Sequence, residues 1–204
     1  MIDSIEEATI EEWNAIGSVY RLASRLLISE VDIHFLRQLS QSPLKESFIE
    51  MGGNLPDSID SAIVDDLAYD YCRLFIGPSD HLPPYQSVWE YGQFQSKTIE
   101  SMQAYAEIAR FTPSELADNM MLDHLGIQLE LMGHIIDQVA CANSQSEKNA
   151  TVELAAAFSR DHLQWAESLL SAASEKAELA FYRSSMSLIC QFLESESGYW
   201  NELK

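Results

Sequence analysis

Residues 56–75 read PDSIDSAIVDDLAYDYCRLF, and this stretch decides the fold class. Its apolar residues recur every three or four positions, the period of an α-helix that buries one face. The buried stripe consists of Ile59, Ile63, Leu67, Tyr71 and Leu74, with Phe75 beside it. Gly77 and Pro78 then follow in the order that helix ends prefer. The pattern predicts a long amphipathic helix that stops before Gly77.

The same periodicity continues on both sides of this helix. Thr9 and Glu12 have capping-box spacing and open a first helix. Further helical segments are predicted at 31–40, 43–53, 96–111, 122–142, 150–176 and 177–196, and no stretch alternates as a strand does. Only 8 Gly and 6 Pro occur, against about 14 and 10 at average usage. The composition and the periodicity together predict an all-α fold.

The chain is strongly acidic, with a net charge of −20 from 32 acids and 12 bases. The negative electrostatic field of such a protein repels nucleic acid and anionic membranes and attracts cationic partners. A role in solubility alone would also explain the acidic composition. Three cysteines without a CxxC pair favour a reducing compartment. No apolar run of membrane-spanning length occurs, and no base precedes Arg21 in a secretory pattern. We therefore expect a cytoplasmic protein without membrane insertion.

One polar linker, NSQSEKN at 143–149, interrupts the helical pattern. It divides the chain into an N-terminal helical segment, 1–142, and a C-terminal helical segment, 150–204. We interpret the linker as a hinge within one domain overall.

Motifs for catalysis, metals and nucleotides are absent from the sequence. It has no Glu-x-x-His, no His-Glu-x-x-His, no Gly-x-Gly-x-x-Gly, no Walker glycine–lysine pair and no Gly-x-Ser-x-Gly. Glu130 and His134 have the spacing to touch on one helix, and we interpret them as a surface or packing pair. The acidic run from Asp57 to Asp70 is most simply a solvated helix face. The sequence predicts neither a catalytic site, a metal site nor a cofactor.

The segment after the 56–75 helix, 76–95, is a long irregular loop with unusual chemistry. Pro83 and Pro84 favour extended backbone, and Tyr85 and Trp89 flank them with flat amphipathic surface. Two readings are open: these residues wall a groove together with the 71–75 helix face, or they merely cover a core helix end.

Asp123 and His124 stand near the start of the most apolar helix. The helix dipole favours a carboxylate there, and the imidazole can orient it. The alternative is an ordinary helix-start aspartate with an incidental histidine.

Together, these two features resemble the TorD/DmsD family of redox-enzyme maturation chaperones. The first motif stands as Asp70-Tyr71-Cys72-Arg73-Leu74-Phe75, then Gly77-Pro78, Pro83-Pro84-Tyr85, Ser87 and Trp89. The second stands as Asp123-His124-Leu125, then Leu129-Glu130-Leu131-Met132. A proline usually precedes the family's Asp-His pair, but Met121-Leu122 stands here, which leaves the local helix start open.

The resemblance implies a TorD-like bundle of about nine to ten helices with no enzymatic activity. It implies a cytoplasmic chaperone that binds the twin-arginine signal peptide and the apo form of a molybdenum-cofactor reductase of the TMAO/DMSO reductase type. It also implies domain-swapped homodimers in some members and weak GTP binding. The implied peptide-binding residues are Tyr71, Leu74, Phe75, Pro83, Pro84, Tyr85, Ser87, Trp89, Asp123 and His124.

On this basis we expect Asp123 to accept an arginine fork while the aromatic and leucine side chains receive the apolar run of the signal peptide. Two rival readings remain: an acidic helical adaptor that binds a basic protein without signal-peptide specificity, and an enzyme of unrecognised type.

Overall fold

The computed structural model describes residues 9–202, and this part of the chain is all-α. It holds ten α-helices, one π-helical turn and one 3-10 turn, and no strand occurs within these residues. The α-helices are Ile10–Ile28 (α1), Ile33–Leu39 (α2), Leu44–Glu50 (α3), Ser61–Tyr71 (α4), Gln86–Tyr91 (α5), Ser96–Ala109 (α6), Leu125–Ala140 (α7), Gln145–His162 (α8), Ala166–Lys176 (α9) and Ala180–Glu202 (α10). The predicted fold class is confirmed.

The chain forms two compact units, each built from separate stretches. Unit 1 contains the chain up to Ile28, Tyr85–Trp165 and the chain from Glu194 on. Unit 2 contains Ser29–Pro84 and Ala166–Leu193. These divisions differ from the predicted segments 1–142 and 150–204. Ser144 caps α8, because its Oγ accepts the Glu147 N–H at 3.2 Å, so most of the linker is helical. Its role as a hinge stays a prediction.

Unit 1 is organised around α7, which is buried along most of its length. Helix α1 lies against it, and two glycines allow the close approach. A Cβ atom on Gly133 would lie 3.3 Å from the Gly17 carbonyl oxygen, and one on Gly17 would lie 2.8 Å from Asp137 Oδ1. The crossing therefore depends on small residues in both helices. At its start, α1 has the predicted capping box, with the Thr9 N–H donating to Glu12 Oε2 at 2.7 Å.

The end of α10 completes unit 1 with a cluster of aromatic rings beside one half-buried acid, Glu196. Trp200 stacks on Trp13 with ring centroids 6.2 Å apart. Burial raises the pKa of Glu196 to about 7, although the nearby Tyr20 and Trp200 side chains partly offset the rise. The folded chain thus holds a proton on Glu196 at pH values where the unfolded chain has released it.

Glu196→Gln is expected to remove a pH-dependent loss of stability. Because the folded pKa of Glu196 lies above its usual 4.5, stability falls as pH rises from about 4.5 to about 7. The stability of the variant relative to the native protein should therefore increase between pH 5 and pH 8, by at most about 3 kcal/mol. Urea denaturation at both pH values measures this. Glu194→Gln, an exposed position on the same helix, is the control, and an equal shift in both variants would contradict the expectation.

Unit 2 contains the helix of the opening stretch, in a shorter form than predicted. Helix α4 begins at Ser61 because Asp60 caps it, with Oδ1 accepting the Ile63 N–H at 3.0 Å. A π-helical turn, Cys72–Ile76, then continues the helix. It closes where the Gly77 N–H donates to the Cys72 carbonyl at 2.7 Å. The extra residue in this turn brings Leu74 and Phe75 into buried positions together.

Asp70 is buried, so the prediction of a solvated acidic face is wrong at this position. Its Oδ1 accepts from Arg73 Nη2 at 2.8 Å, and its Oδ2 accepts the Leu179 N–H at 2.9 Å. Arg73 also donates to the Lys176 carbonyl at 2.6 Å. The pair therefore fastens α4 to the turn that precedes α10, within unit 2.

Candidate functional site

Three predicted peptide-binding residues of unit 2 are buried rather than exposed. Tyr71, Leu74 and Phe75 are 3%, 0% and 5% exposed. The Tyr71 ring packs on Phe75 with centroids 5.2 Å apart and on Tyr182 at 6.0 Å. These side chains form core contacts in the structure, which agrees with the second of the two readings of this segment. Their predicted contact with a peptide stays a prediction.

The irregular segment that follows is shorter than predicted. The Leu82 N–H donates to the Leu74 carbonyl at 2.7 Å and folds the loop back onto the π-helical turn. Pro84 is buried, whereas Pro83 is half-buried. At Gln86 the chain enters α5, so the prediction of irregular structure through residue 95 is wrong for 86–91. Trp89 lies half-buried on this helix.

Within unit 1, the start of α5 is joined to the segment that precedes α7. An isolated antiparallel bridge pairs Tyr85 with His124. The Gln86 N–H donates to the Asp123 carbonyl at 3.0 Å. Two sequence motifs that lie far apart in the chain are thereby brought into direct contact.

Asp123 is fully buried and binds the first turn of α5. Its Oδ2 accepts from the Ser87 hydroxyl at 2.5 Å and from the Ser87 N–H at 3.1 Å. Among the described residues, Oδ1 has no hydrogen-bond partner. A buried carboxylate oxygen without a donor is costly, and it marks a position where an incoming N–H donor would be stabilised.

His124 is the N-cap of α7, which settles the helix start that the sequence left open. Its Nδ1 accepts the Gly126 N–H at 3.0 Å, so the neutral ring carries its proton on Nε2. Burial lowers the pKa of His124 to about 4, so it is uncharged at neutral pH. A Cβ atom on Gly126 would lie 2.4 Å from Ile28 Cγ1, so only glycine fits here without rearrangement.

Aromatic rings connect this buried pair to the surface of unit 1. The Tyr85 ring packs edge-on against His124, with centroids 5.1 Å apart, and against Phe94 at 5.3 Å. Phe94 is 53% exposed, and Tyr91, at the end of α5, is 60% exposed. Burial, followed by the Asp123 charge, raises the pKa of Tyr85, which keeps its phenol neutral. We call Tyr85, Phe94 and His124 the aromatic ladder.

Phe94 was missed by the sequence analysis. It stands in YGQF, between two helices, and carries no helical or strand period. Gly92, with φ of 72°, ends α5 in a left-handed conformation and redirects the chain. An aromatic residue just after a helix-ending glycine, next to a predicted functional loop, was the available signal.

A buried polar network holds α5 in place behind the ladder. Gln86 Oε1 accepts from Gln128 Nε2 at 2.7 Å and from His162 Nδ1 at 2.8 Å. Trp165 Nε1 donates to Gln128 Oε1 at 3.0 Å, and the Ser101 hydroxyl lies 2.9 Å from His162 Nε2. Since burial lowers the pKa of His162 to about 4, the neutral ring donates from Nδ1 and accepts at Nε2. This network fixes α5 relative to α7 and α8 and so positions Ser87 against Asp123.

Glu130 and His134 do not contact each other through a hydrogen bond. Glu130 Oε1 accepts the Ser114 N–H at 3.1 Å, and His134 Nε2 donates to the Ala109 carbonyl at 3.0 Å. Both side chains hold the connection between α6 and α7, which is a structural role. No cluster of three or more His, Cys, Asp or Glu side chains suited to a metal ion occurs in the part of the chain that the structure describes. No helix in that part is both long and apolar enough to cross a membrane.

The family model for the nitrate reductase delta subunit matches residues 37–171, a range that contains both motifs. This chain belongs to the nitrate reductase delta subunit family. It is similar to proteins named chaperone protein TorD. The protein of that name from Photobacterium profundum is 25% identical over 138 residues, which is 66% of this chain and 63% of the relative. The one from Vibrio vulnificus (strain YJ016) is 27% identical over 161 residues, 77% of this chain and 74% of the relative.

These matches confirm the resemblance to TorD-like chaperones that the motifs indicated. No solved structure matches the chain. Within the nitrate reductase delta subunit family, TorD-type chaperones are non-catalytic, in agreement with a sequence that lacks catalytic motifs.

Proposed function

We propose that this protein is a cytoplasmic chaperone that binds the twin-arginine signal peptide of a molybdenum-cofactor reductase of the TMAO/DMSO reductase type. In this role it holds the apoenzyme and assists its maturation before export. The observation that carries the proposal is the family match over residues 37–171, together with relatives named chaperone protein TorD.

A twin-arginine signal peptide combines two arginines with a short apolar run, and unit 1 offers a partner for each part. The exposed side of the aromatic ladder supplies flat apolar surface through Phe94. Burying a leucine or phenylalanine contributes about 1.5–3 kcal/mol, whereas an exposed arginine–carboxylate pair contributes about 0–1 kcal/mol. The apolar run therefore supplies most of the affinity, and the arginines supply selectivity.

Asp123 is the proposed partner of one arginine through Oδ1, the oxygen that has no donor among the described residues. Because Asp123 is fully buried, the arginine reaches it only when the cover formed by Tyr85 and His124 opens locally. The guanidinium then replaces an unsatisfied position with a charge-assisted hydrogen bond, and its planar fork distinguishes arginine from lysine.

A double-mutant cycle tests the proposal. A synthetic twin-arginine leader peptide and its twin-lysine counterpart are titrated by calorimetry into the native protein and into Asp123→Asn. We expect the native protein to prefer the arginine peptide by about tenfold, and we expect Asp123→Asn to lose most of this preference. The asparagine keeps an oxygen for the Ser87 donors, so the fold is expected to persist. Asp118→Asn, an exposed neighbour in the chain, is the matched control.

The acidic adaptor is the second candidate function, favoured by the net charge of −20. It predicts equal binding of the arginine and lysine peptides and an affinity that falls steeply with salt, since screening weakens exposed charge pairs. Running the cycle at two salt concentrations separates the two functions, and equal affinities in all arms would overturn the chaperone proposal. A domain-swapped homodimer and weak GTP binding remain predictions of the resemblance alone.

A further inference from the structure

Unit 2 contains an open cleft of about 460 Å3 that no sequence motif accounts for. Its walls come from three places: the loop 54–58, the first two turns of α4, and the start of α10. The volume lies in the range of about 300–1,000 Å3 that is typical of ligand sites. The lining residues are Asn54, Leu55, Pro56, Asp57, Ser58, Ile63, Leu67, Leu179, Ala180 and Phe181.

The walls of the cleft combine apolar and polar surface in about equal parts and are held in place from behind. Ile63 and Leu67 lie one turn apart on α4 and both line the cleft, where Ile63 is half-buried and Leu67 lies fully buried behind it. Phe181 packs on Phe48 with centroids 6.3 Å apart and on Tyr182 at 5.2 Å. Since these buried rings fix the wall from the far side, the cleft is formed before any ligand arrives.

The polar groups of the cleft leave one charge facing outward. The Asn54 N–H donates to Ser184 Oγ at 2.8 Å, and the Ser58 hydroxyl donates to Asp60 Oδ2 at 3.1 Å. Asp57 is the only ionisable residue among those lining the cleft, and it is exposed. A carboxylate beside the apolar side chains of this cleft fits a ligand that carries a cation next to an apolar group.

We propose that this cleft is a second peptide site, which takes an apolar side chain of the leader and pairs a neighbouring arginine with Asp57. This inference rests on the proposed function, because a twin-arginine leader supplies both elements in consecutive residues. The apolar side chain lies against the half-buried Leu55, Ile63 and Leu179, and the guanidinium remains at the rim. Unit 2 thereby contributes to recognition through this cleft, while Tyr71, Leu74 and Phe75 remain in its core.

A blocking variant tests this assignment. Ala180 is exposed and lines the cleft, so the indole of Ala180→Trp occupies the space without entering the core. Ala62→Trp, exposed in the first turn of α4 but outside the lining, is the matched control. With a fluorescein-labelled twin-arginine leader peptide, fluorescence anisotropy should show about tenfold weaker binding to Ala180→Trp and native binding to Ala62→Trp.

The charge at the rim is tested separately. Asp57→Lys should weaken binding of the same peptide by about fivefold, and Asp65→Lys, an exposed acid of α4 outside the lining, should weaken it less. If both variants lost the same peptide affinity, the net charge of the protein would explain the effect. That result would count against a site at Asp57.

Photocrosslinking locates the peptide in the native protein and does not depend on any variant folding. A leader that carries benzoylphenylalanine at the apolar position next to its arginines should crosslink to residues 54–67 or 179–181. If Ala180→Trp binds the leader peptide with native affinity, or if crosslinks form only in other segments, the cleft is not a peptide site. Either result would leave the proposed function unchanged. If the native protein binds no twin-arginine leader at all, the proposed function and the cleft both fall.

Discussion

Replacing Asp70 with alanine is expected to lower the free energy of unfolding by about 3–5 kcal/mol. The carboxylate is 1% exposed and accepts from Arg73 and from the N–H groups of Glu178 and Leu179. Its removal leaves a partly buried guanidinium and two backbone donors without this partner. Losses of this size are typical when one half of a buried ion pair is deleted.

Asp66→Ala is the matched control for this variant. Asp66 is an exposed acid one turn earlier on the same helix, and its replacement should change stability by no more than about 0.5 kcal/mol. Urea denaturation followed by circular dichroism measures both variants. If Asp70→Ala lowers the free energy of unfolding no more than Asp66→Ala does, then Asp70 does not hold α4 against the turn before α10 in solution.

Leu74→Ala is expected to lower the free energy of unfolding by about 2.7–5 kcal/mol, the range observed when buried leucines are replaced by alanine. Leu74 is 0% exposed in the π-helical turn. Its removal therefore creates a cavity rather than deleting a surface contact. Any loss of peptide binding should follow the loss of folded protein, and it should diminish under conditions in which the variant is fully folded.

Ile76→Ala provides the comparison, because Ile76 lies in the same turn and is 61% exposed. This variant should keep native stability to within about 0.5 kcal/mol. Thermal denaturation and peptide titration are measured on both variants. If Leu74→Ala melts like the native protein yet binds no peptide, then its side chain faces the ligand and the core assignment is wrong.

The helices could be predicted because each buries a stripe of regular period. The cap at Thr9 and the end of the π-helical turn at Gly77 follow from local chemistry that acts within a few residues. The sequence predicts a solvated face for Asp70, because the backbone partners that it binds in the fold, Glu178 and Leu179, lie more than a hundred positions away. No local pattern encodes such a contact.

The candidate site was only partly predictable for the same reason. Asp123 and His124 were identified as a pair, but their contacts with Tyr85 and Ser87 depend on long-range packing. The sequence also could not predict which candidate-site residues are exposed and which are buried. Leu74 and Phe75 share a face with Tyr71 whether that face meets a core or a ligand, and only the fold shows that they are buried.

Titration of a twin-arginine leader peptide into Phe94→Ala tests most directly whether the aromatic ladder receives the peptide. Phe94 is exposed and contacts Tyr85, so its removal deletes ligand surface without opening the core. Ile108→Ala, another exposed apolar residue of unit 1, is the control. We predict that Phe94→Ala binds about tenfold more weakly or worse while Ile108→Ala binds normally and both melt like the native protein. Native affinity in Phe94→Ala would contradict the assignment of this surface as the peptide site.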